Sequence, residues 1–103
     1  MYVIIWEYQV KPECVTEFER IYASNGEWAD LFRKEKGYLG TELLHDPKQP
    51  LRYISIDRWI SSQAHDVFQS RREAEYNALD KRCQNLTDDE ALRGAYSSIP
   101  VRS

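Results

Sequence analysis

Residues 2–10, Tyr-Val-Ile-Ile-Trp-Glu-Tyr-Gln-Val, constrain the fold of this chain more than any other stretch. They are rich in β-branched and aromatic side chains, the composition of a strand. Tyr2, Ile4, Trp6, Tyr8 and Val10 fall on one side of such a strand, and Val3 and Ile5 on the other. A strand apolar on both sides sits inside a sheet and needs cover on both faces, at least at its start. The stretch lacks a basic leader and meets Glu7 at once, so it reads as a strand rather than a signal peptide.

Lys11-Pro12 ends this strand, and Pro12 suits the first turn of a helix, where its missing N–H costs nothing. Val15, Phe18, Ile21, Tyr22, Trp28, Ala29 and Phe32 then recur at helical spacing, with Ser24-Asn25-Gly26 as a break. The spacing predicts a helix to about residue 23 and a second segment to about Lys36, with Gly37 as its C-terminal cap. Tyr38 to His45 is a second strand, Asp46-Pro47-Lys48-Gln49-Pro50 a turn, and Leu51 to Ile60 a third strand paired with the second. On that third strand Tyr53, Ser55, Asp57 and Trp59 share one face; Arg52, Ile54, Ile56, Arg58 and Ile60 share the other.

Ser61 or Ser62 caps a long helix carrying Ala64, Val67, Phe68, Tyr76, Leu79 and Cys83. Thr87-Asp-Asp-Glu90 fits a capping box and predicts a short turn or helix, with a last strand from Ala95 to Ile99. The order β-α-β-β-α-β specifies an α+β, ferredoxin-like sandwich with an antiparallel sheet and both helices on one face. The other face is apolar too, which predicts a homodimer whose sheets meet. One domain over 1–99 and a loose tail over 100–103 account for all 103 residues.

Composition removes several function classes. Fourteen basic against seventeen acidic residues leave a charge of −3, which offers no counterion-release drive toward nucleic acid. Lys36-Gly37-Tyr38-Leu39-Gly40 looks like the start of an RNA-recognition stretch, but it opens the second strand rather than the third. No window approaches the ~20 apolar residues of a membrane span. Cys14 and Cys83 are far apart and read as reduced thiols of a cytoplasmic protein, so Asn85-Leu86-Thr87 is not expected to carry a glycan. Two histidines and two distant cysteines form no metal-binding pattern, and no glycine-rich phosphate loop is present, so no metal or cofactor is expected.

Gly37-Tyr-Leu-Gly40, Glu42-Leu-Leu, Asp46-Pro47, Arg52-Tyr-Ile-Ser-Ile-Asp-Arg-Trp59 and Ser61-Ser-Gln-Ala64 together resemble the antibiotic biosynthesis monooxygenase family of dimeric α+β barrels, over roughly residues 2–80. In that family's cofactor-free oxygenases an Asn-x-x-x-Trp pattern ends the third strand, and a Glu-Ser-x-Gln-Ala-Tyr stretch follows. Trp59, Ser61 and Gln63-Ala64 match; Ser55 stands for the asparagine and His65 for the tyrosine, while the later arginine falls near Leu79, with Lys81 and Arg82 close by. The haem-degrading branch's asparagine, tryptophan and histidine correspond to Ile5, Phe68 and Ala78, so no iron ligand is in place.

The resemblance implies a cofactor-independent monooxygenase acting with O2 on a small aromatic molecule of phenol or quinol type. Its alternative is a non-catalytic dimeric protein of the same fold, binding a small ligand or serving in stress. His65 and Trp59 are the candidate catalytic residues, with Tyr53, Ser55, Asp57 and Phe68 as substrate-binding ones. His65 begins the long helix six residues after Trp59, where the helix dipole disfavours its cation and leaves a neutral imidazole able to accept a proton. Each has a plainer role open to it: Trp59 as core, and His65 and His45 as surface residues.

Overall fold

The computed structural model describes residues 1–101. Four strands, β1 (Tyr2–Val10), β2 (Tyr38–Asp46), β3 (Gln49–Trp59) and β4 (Thr87–Ser97), form one antiparallel sheet in the order β2-β3-β1-β4. Helices α1 (Val15–Tyr22) and α2 (Glu27–Phe32) follow β1, and α3 (Ser62–Arg71) and α4 (Glu73–Cys83) follow β3. This is the expected ferredoxin-like α+β arrangement, with β1 in the interior of the sheet. No helix among the described residues is long and apolar enough to cross a membrane.

Register builds the helix-facing wall in rungs. Tyr2 pairs with Trp59, Ile4 with Asp57, Trp6 with Ser55 and Tyr8 with Tyr53 across β1 and β3. On the other side of β1, Ile4 faces Ala95, Trp6 faces Leu92 and Tyr8 faces Glu90. Because side chains alternate, these rungs put aromatic and polar groups of three strands under the helices. Phe18, Val10, Trp59 and Phe68 are the largest fully buried side chains. Phe32 meets Trp59 at 5.7 Å and Phe68 at 5.1 Å, both edge to face, so α2 and α3 lock onto the end of β3 through rings.

Several boundaries differ from expectation. The capping-box stretch Thr87–Glu90 is strand, not helix, and β4 begins eight residues before Ala95. Val10, Gln9 and Tyr8 pair with Thr87, Asp89 and Glu90, so the ladder along β1 overrides the local helix signal. The long helix is broken at Arg72, whose backbone lies at φ −115°, ψ 22°. Arg71 and Arg72 both reach the largely buried carboxylate of Glu35, at 3.1 and 3.2 Å, which ties the break to the segment after α2.

Helix α2 ends at Phe32, and Gly37 does not cap it. Gly37 instead lies against α3, where a Cβ would stand 2.4 Å from the Cβ of Ala64. Gln49 and Pro50 belong to β3 rather than to the turn. Ile99 to Val101 have no regular structure; the end of the expected tail, residues 102–103, lies outside the described residues.

Candidate active site

The helix entry after β3 positions the first candidate. Ser61 caps α3, its hydroxyl accepting from the Ala64 N–H at 3.1 Å. That cap sets the first turn so that His65 leans over Trp59, ring centroids 5.4 Å apart at 69°. Tyr2 closes the other side of the imidazole at 6.0 Å. Burial holds the His65 pKa below the usual histidine value, with Asp66 acting weakly against it. The side chain is neutral at physiological pH and available as a proton acceptor.

One turn later, the Gln69 amide nitrogen lies 3.2 Å from His65 Nε2. The primary amide carries both a donor and an acceptor. It therefore has a hydrogen-bonding partner for either state of the ring nitrogen.

Trp59, His65 and Gln69 line a cavity of about 150 Å³ under α3, with Tyr2, Asp57 and Tyr76. Asp57 is almost fully buried, and its Oδ1 accepts from the Thr41 hydroxyl at 2.7 Å. Thr41's own proton is thereby committed, so the Tyr38 hydroxyl donates to Thr41 Oγ1, at 2.6 Å. Burial raises the Asp57 pKa to about 6, partly offset by the Thr41 hydrogen bond.

A smaller lobe of about 40 Å³ adjoins the first; Trp6, Phe32, Asp57 and Tyr76 line both. Ser55 stands in this second lobe, 3.1 Å from the Tyr8 hydroxyl. Asp80 of α4 and Glu90 of β4 complete its wall. Burial and the neighbouring Asp80 and Asp89 carboxylates raise the Glu90 pKa.

The structure thus brings His65, Trp59, Asp57 and Ser55 to one two-lobed cavity. Tyr53 is elsewhere: its ring packs on Phe18 at 5.0 Å and its hydroxyl donates to Glu19 Oε2 at 2.5 Å, beside a separate groove. Phe68 is fully buried behind Trp59, centroids 5.2 Å apart, and supports the wall without forming it. His45 is exposed.

Residue-by-residue reasoning from sequence missed Gln69, Thr41 and Tyr76. Gln69 follows His65 by one helical turn, a spacing that signals a shared face. Thr41 and Tyr76 reach the site only through pairing and packing. Among the described residues no group of three or more His, Cys, Asp or Glu side chains is placed to hold a metal ion.

Residues 1–76 match the family model described as antibiotic biosynthesis monooxygenase. No curated protein matches the chain. Solved structures share its fold at low identity. A candidate antibiotic biosynthesis monooxygenase from Deinococcus radiodurans superposes with a TM-score of 0.76 at 17% identity, covering 100% of this chain and 97% of that one. SnoaB, a cofactor-independent oxygenase from Streptomyces nogalater, superposes at 0.67 with 16% identity, covering 97% and 94%. A conserved protein from Methanosarcina mazei superposes at 0.69 with 17% identity, covering 92% and 89%.

Proposed function

The chain belongs to the antibiotic biosynthesis monooxygenase family, and on that premise we propose that it is a cofactor-independent monooxygenase acting on a small aromatic substrate of phenol or quinol type. The observation that carries this reading is the neutral, half-buried His65 imidazole beside Trp59 at a half-open, largely aromatic cavity.

In the proposed reaction the substrate ring lies against Trp59, and His65 removes the phenolic proton, leaving a phenolate with carbanion character at its ortho and para carbons. The resulting carbanion is electron-rich enough to reduce O2 itself, forming a carbon–oxygen bond and a hydroperoxide. His65 returns its proton to the peroxide, and loss of the ring C–H proton together with hydroxide, as water, leaves a carbonyl where a ring C–H stood. One oxygen atom enters the product and the other leaves as water. The substrate supplies both electrons, so the step calls for no separate reductant. Gln69 holds the imidazole through both proton states, and Asp57 and Ser55 offer polar contacts to the ring substituents.

The protein is further proposed to be a homodimer of the cytoplasm. Val3, Ile5, Ile54 and Ile56 are only partly covered on the sheet face away from the helices, and Leu44 beside them is exposed. Cys14 and Cys83 are both free thiols, as suits a reducing compartment.

An oxygen-electrode screen of dihydroxy-aromatic and anthrone-like compounds, without added metal or flavin, tests the reaction. Uptake that scales with enzyme and falls with His65→Ala supports it. Saturable binding of these compounds with no uptake by any of them favours a ligand-binding protein instead.

A further inference from the structure

The smaller lobe has a chemistry that the oxygenation step does not use. Asp57, Asp80 and Glu90 all line it, and no Lys or Arg lines either lobe. The other well-covered carboxylates are paired: Glu7 and Glu35 each meet two cations. Among the described residues Asp57, Asp80 and Glu90 form no ion pair. Asp57 is 8% exposed, with the Thr41 hydroxyl as its hydrogen-bond partner. A carboxylate so buried is costly to ionise without an opposite charge.

Aromatic rings supply the rest of the lobe, Tyr8, Tyr22, Trp28 and Tyr76 among them. Their faces attract cations. The lobe also presents a buried acceptor, the Asp57 carboxylate, whose hydrogen bond from Thr41 falls on Oδ1, to a guest whose polar atoms are all donors. Its volume of about 40 Å³ accommodates one water-sized group, the size of a terminal ammonium. The larger lobe, which shares Asp57 and Tyr76 in its wall, has room for a ring.

We propose that the substrate is an aromatic compound bearing a protonated amine, its ring against Trp59 and its ammonium group in the lobe formed by Asp57, Asp80 and Glu90. This rests on the oxygenase reading for which ring position reacts, but the charge preference is a binding property and is measured separately. Asp57 and the aromatic rings hold the cation from the sides. Asp80 and Glu90, more open to solvent, draw it in.

Tyramine, para-ethylphenol and para-hydroxyphenylpropionate share a phenol and differ in carrying a positive, no or negative charge on the arm. Binding is followed under nitrogen by quenching of indole fluorescence, since Trp6, Trp28 and Trp59 all line the lobes. Tyramine is expected to bind at least about tenfold more tightly than para-ethylphenol, with the propionate weakest. In the double variant Asp80→Asn, Glu90→Gln that ratio should fall by about half or more, since only Asp57 then remains of the three carboxylates, with an unchanged far-ultraviolet spectrum confirming the fold. Equal affinity for tyramine and para-ethylphenol overturns the proposal, as does a ratio that the double substitution leaves unchanged, or no tyramine binding at millimolar concentration. Oxygen uptake is recorded independently. A tyramine preference with no uptake on any phenol or quinol removes the oxygenase reading and leaves the amine site standing; uptake without a charge preference does the reverse.

Discussion

The imidazole of His65 meets the indole of Trp59 edge to face, centroids 5.4 Å apart, so one strand end and one helix start share a single contact. Replacing His65 with Ala should lower turnover by ~10²-fold or more, the usual scale for a lost general base. The melting temperature should stay within a few degrees, because the ring is half-buried and makes its hydrogen bond to Gln69 alone. The pH profile provides a second check. Burial lowers the His65 pKa, so the proposed base stays neutral as pH falls. kcat/KM should hold through pH ~6.5, the ordinary histidine value, and drop only below it.

Trp59→Phe should weaken substrate binding while keeping the fold, because a phenyl ring retains much of the packing on Phe32 and Phe68. Trp59→Ala should cost about 3–5 kcal/mol of stability, as for other fully buried aromatics. Chemical denaturation of both variants separates the two roles.

Asp57 gives a stability prediction with a definite sign. Its folded pKa is raised from 3.8 to about 6, so the folded state binds the proton more tightly than the unfolded chain does. Stability from this group is fully present below pH 3.8 and is lost as pH rises through about 6. Asp57→Asn keeps an acceptor for Thr41 and removes the charge. It should stabilise the protein by about 1–3 kcal/mol at pH 7.5 and have little effect near pH 4, in thermal melts at both values. Substrate binding should weaken at the same time.

Gly37 is a positioning residue. A Cβ there would meet Ala64, and the Gly37 carbonyl accepts from the Ile60 N–H at 2.8 Å, so the backbone cannot easily step aside. Gly37→Ala should push the first turn of α3 outward, carrying His65 with it, at a cost of about 1–3 kcal/mol. A fall in kcat larger than any rise in KM, together with altered His65 ring resonances by NMR, would mark the displacement.

Light scattering should return twice the 12.2 kDa chain mass at micromolar concentration. Ile56→Asp, on the sheet face away from the helices, should shift the mass toward that of one chain. A single-chain mass for the unmodified protein would remove the dimer.

Much of the cavity floor is legible in the sequence. The two-sided pattern of residues 2–10 makes β1 an interior strand, and alternation along β3 puts Ser55, Asp57 and Trp59 on its helix-facing side. Tyr53 obeys the same alternation but lies two residues too far along the strand, beneath α1. The break at Arg72 has no Pro or Gly to announce it; its tether, Glu35, is far back in the chain. Thr87–Glu90 carries a helix-start pattern that loses to a waiting strand edge. What composition could not reveal is which helix residues complete the cavity, because that depends on how α3 and α4 settle over the sheet.

The cavity wall straddles the end of the family match. Tyr2, Trp6, Asp57, Trp59, His65 and Tyr76 lie within residues 1–76, whereas Asp80, Glu90, Leu92 and Ala95 lie beyond it. β4 is held to β1 by main-chain hydrogen bonds, which ask little of the side chains it displays. Side chains at positions 90, 92 and 95 can therefore change without disturbing the contact between His65 and Trp59. The residues proposed to react and those proposed to choose the substrate thus sit on separate stretches of the chain, so one set can be exchanged while the other stays in place.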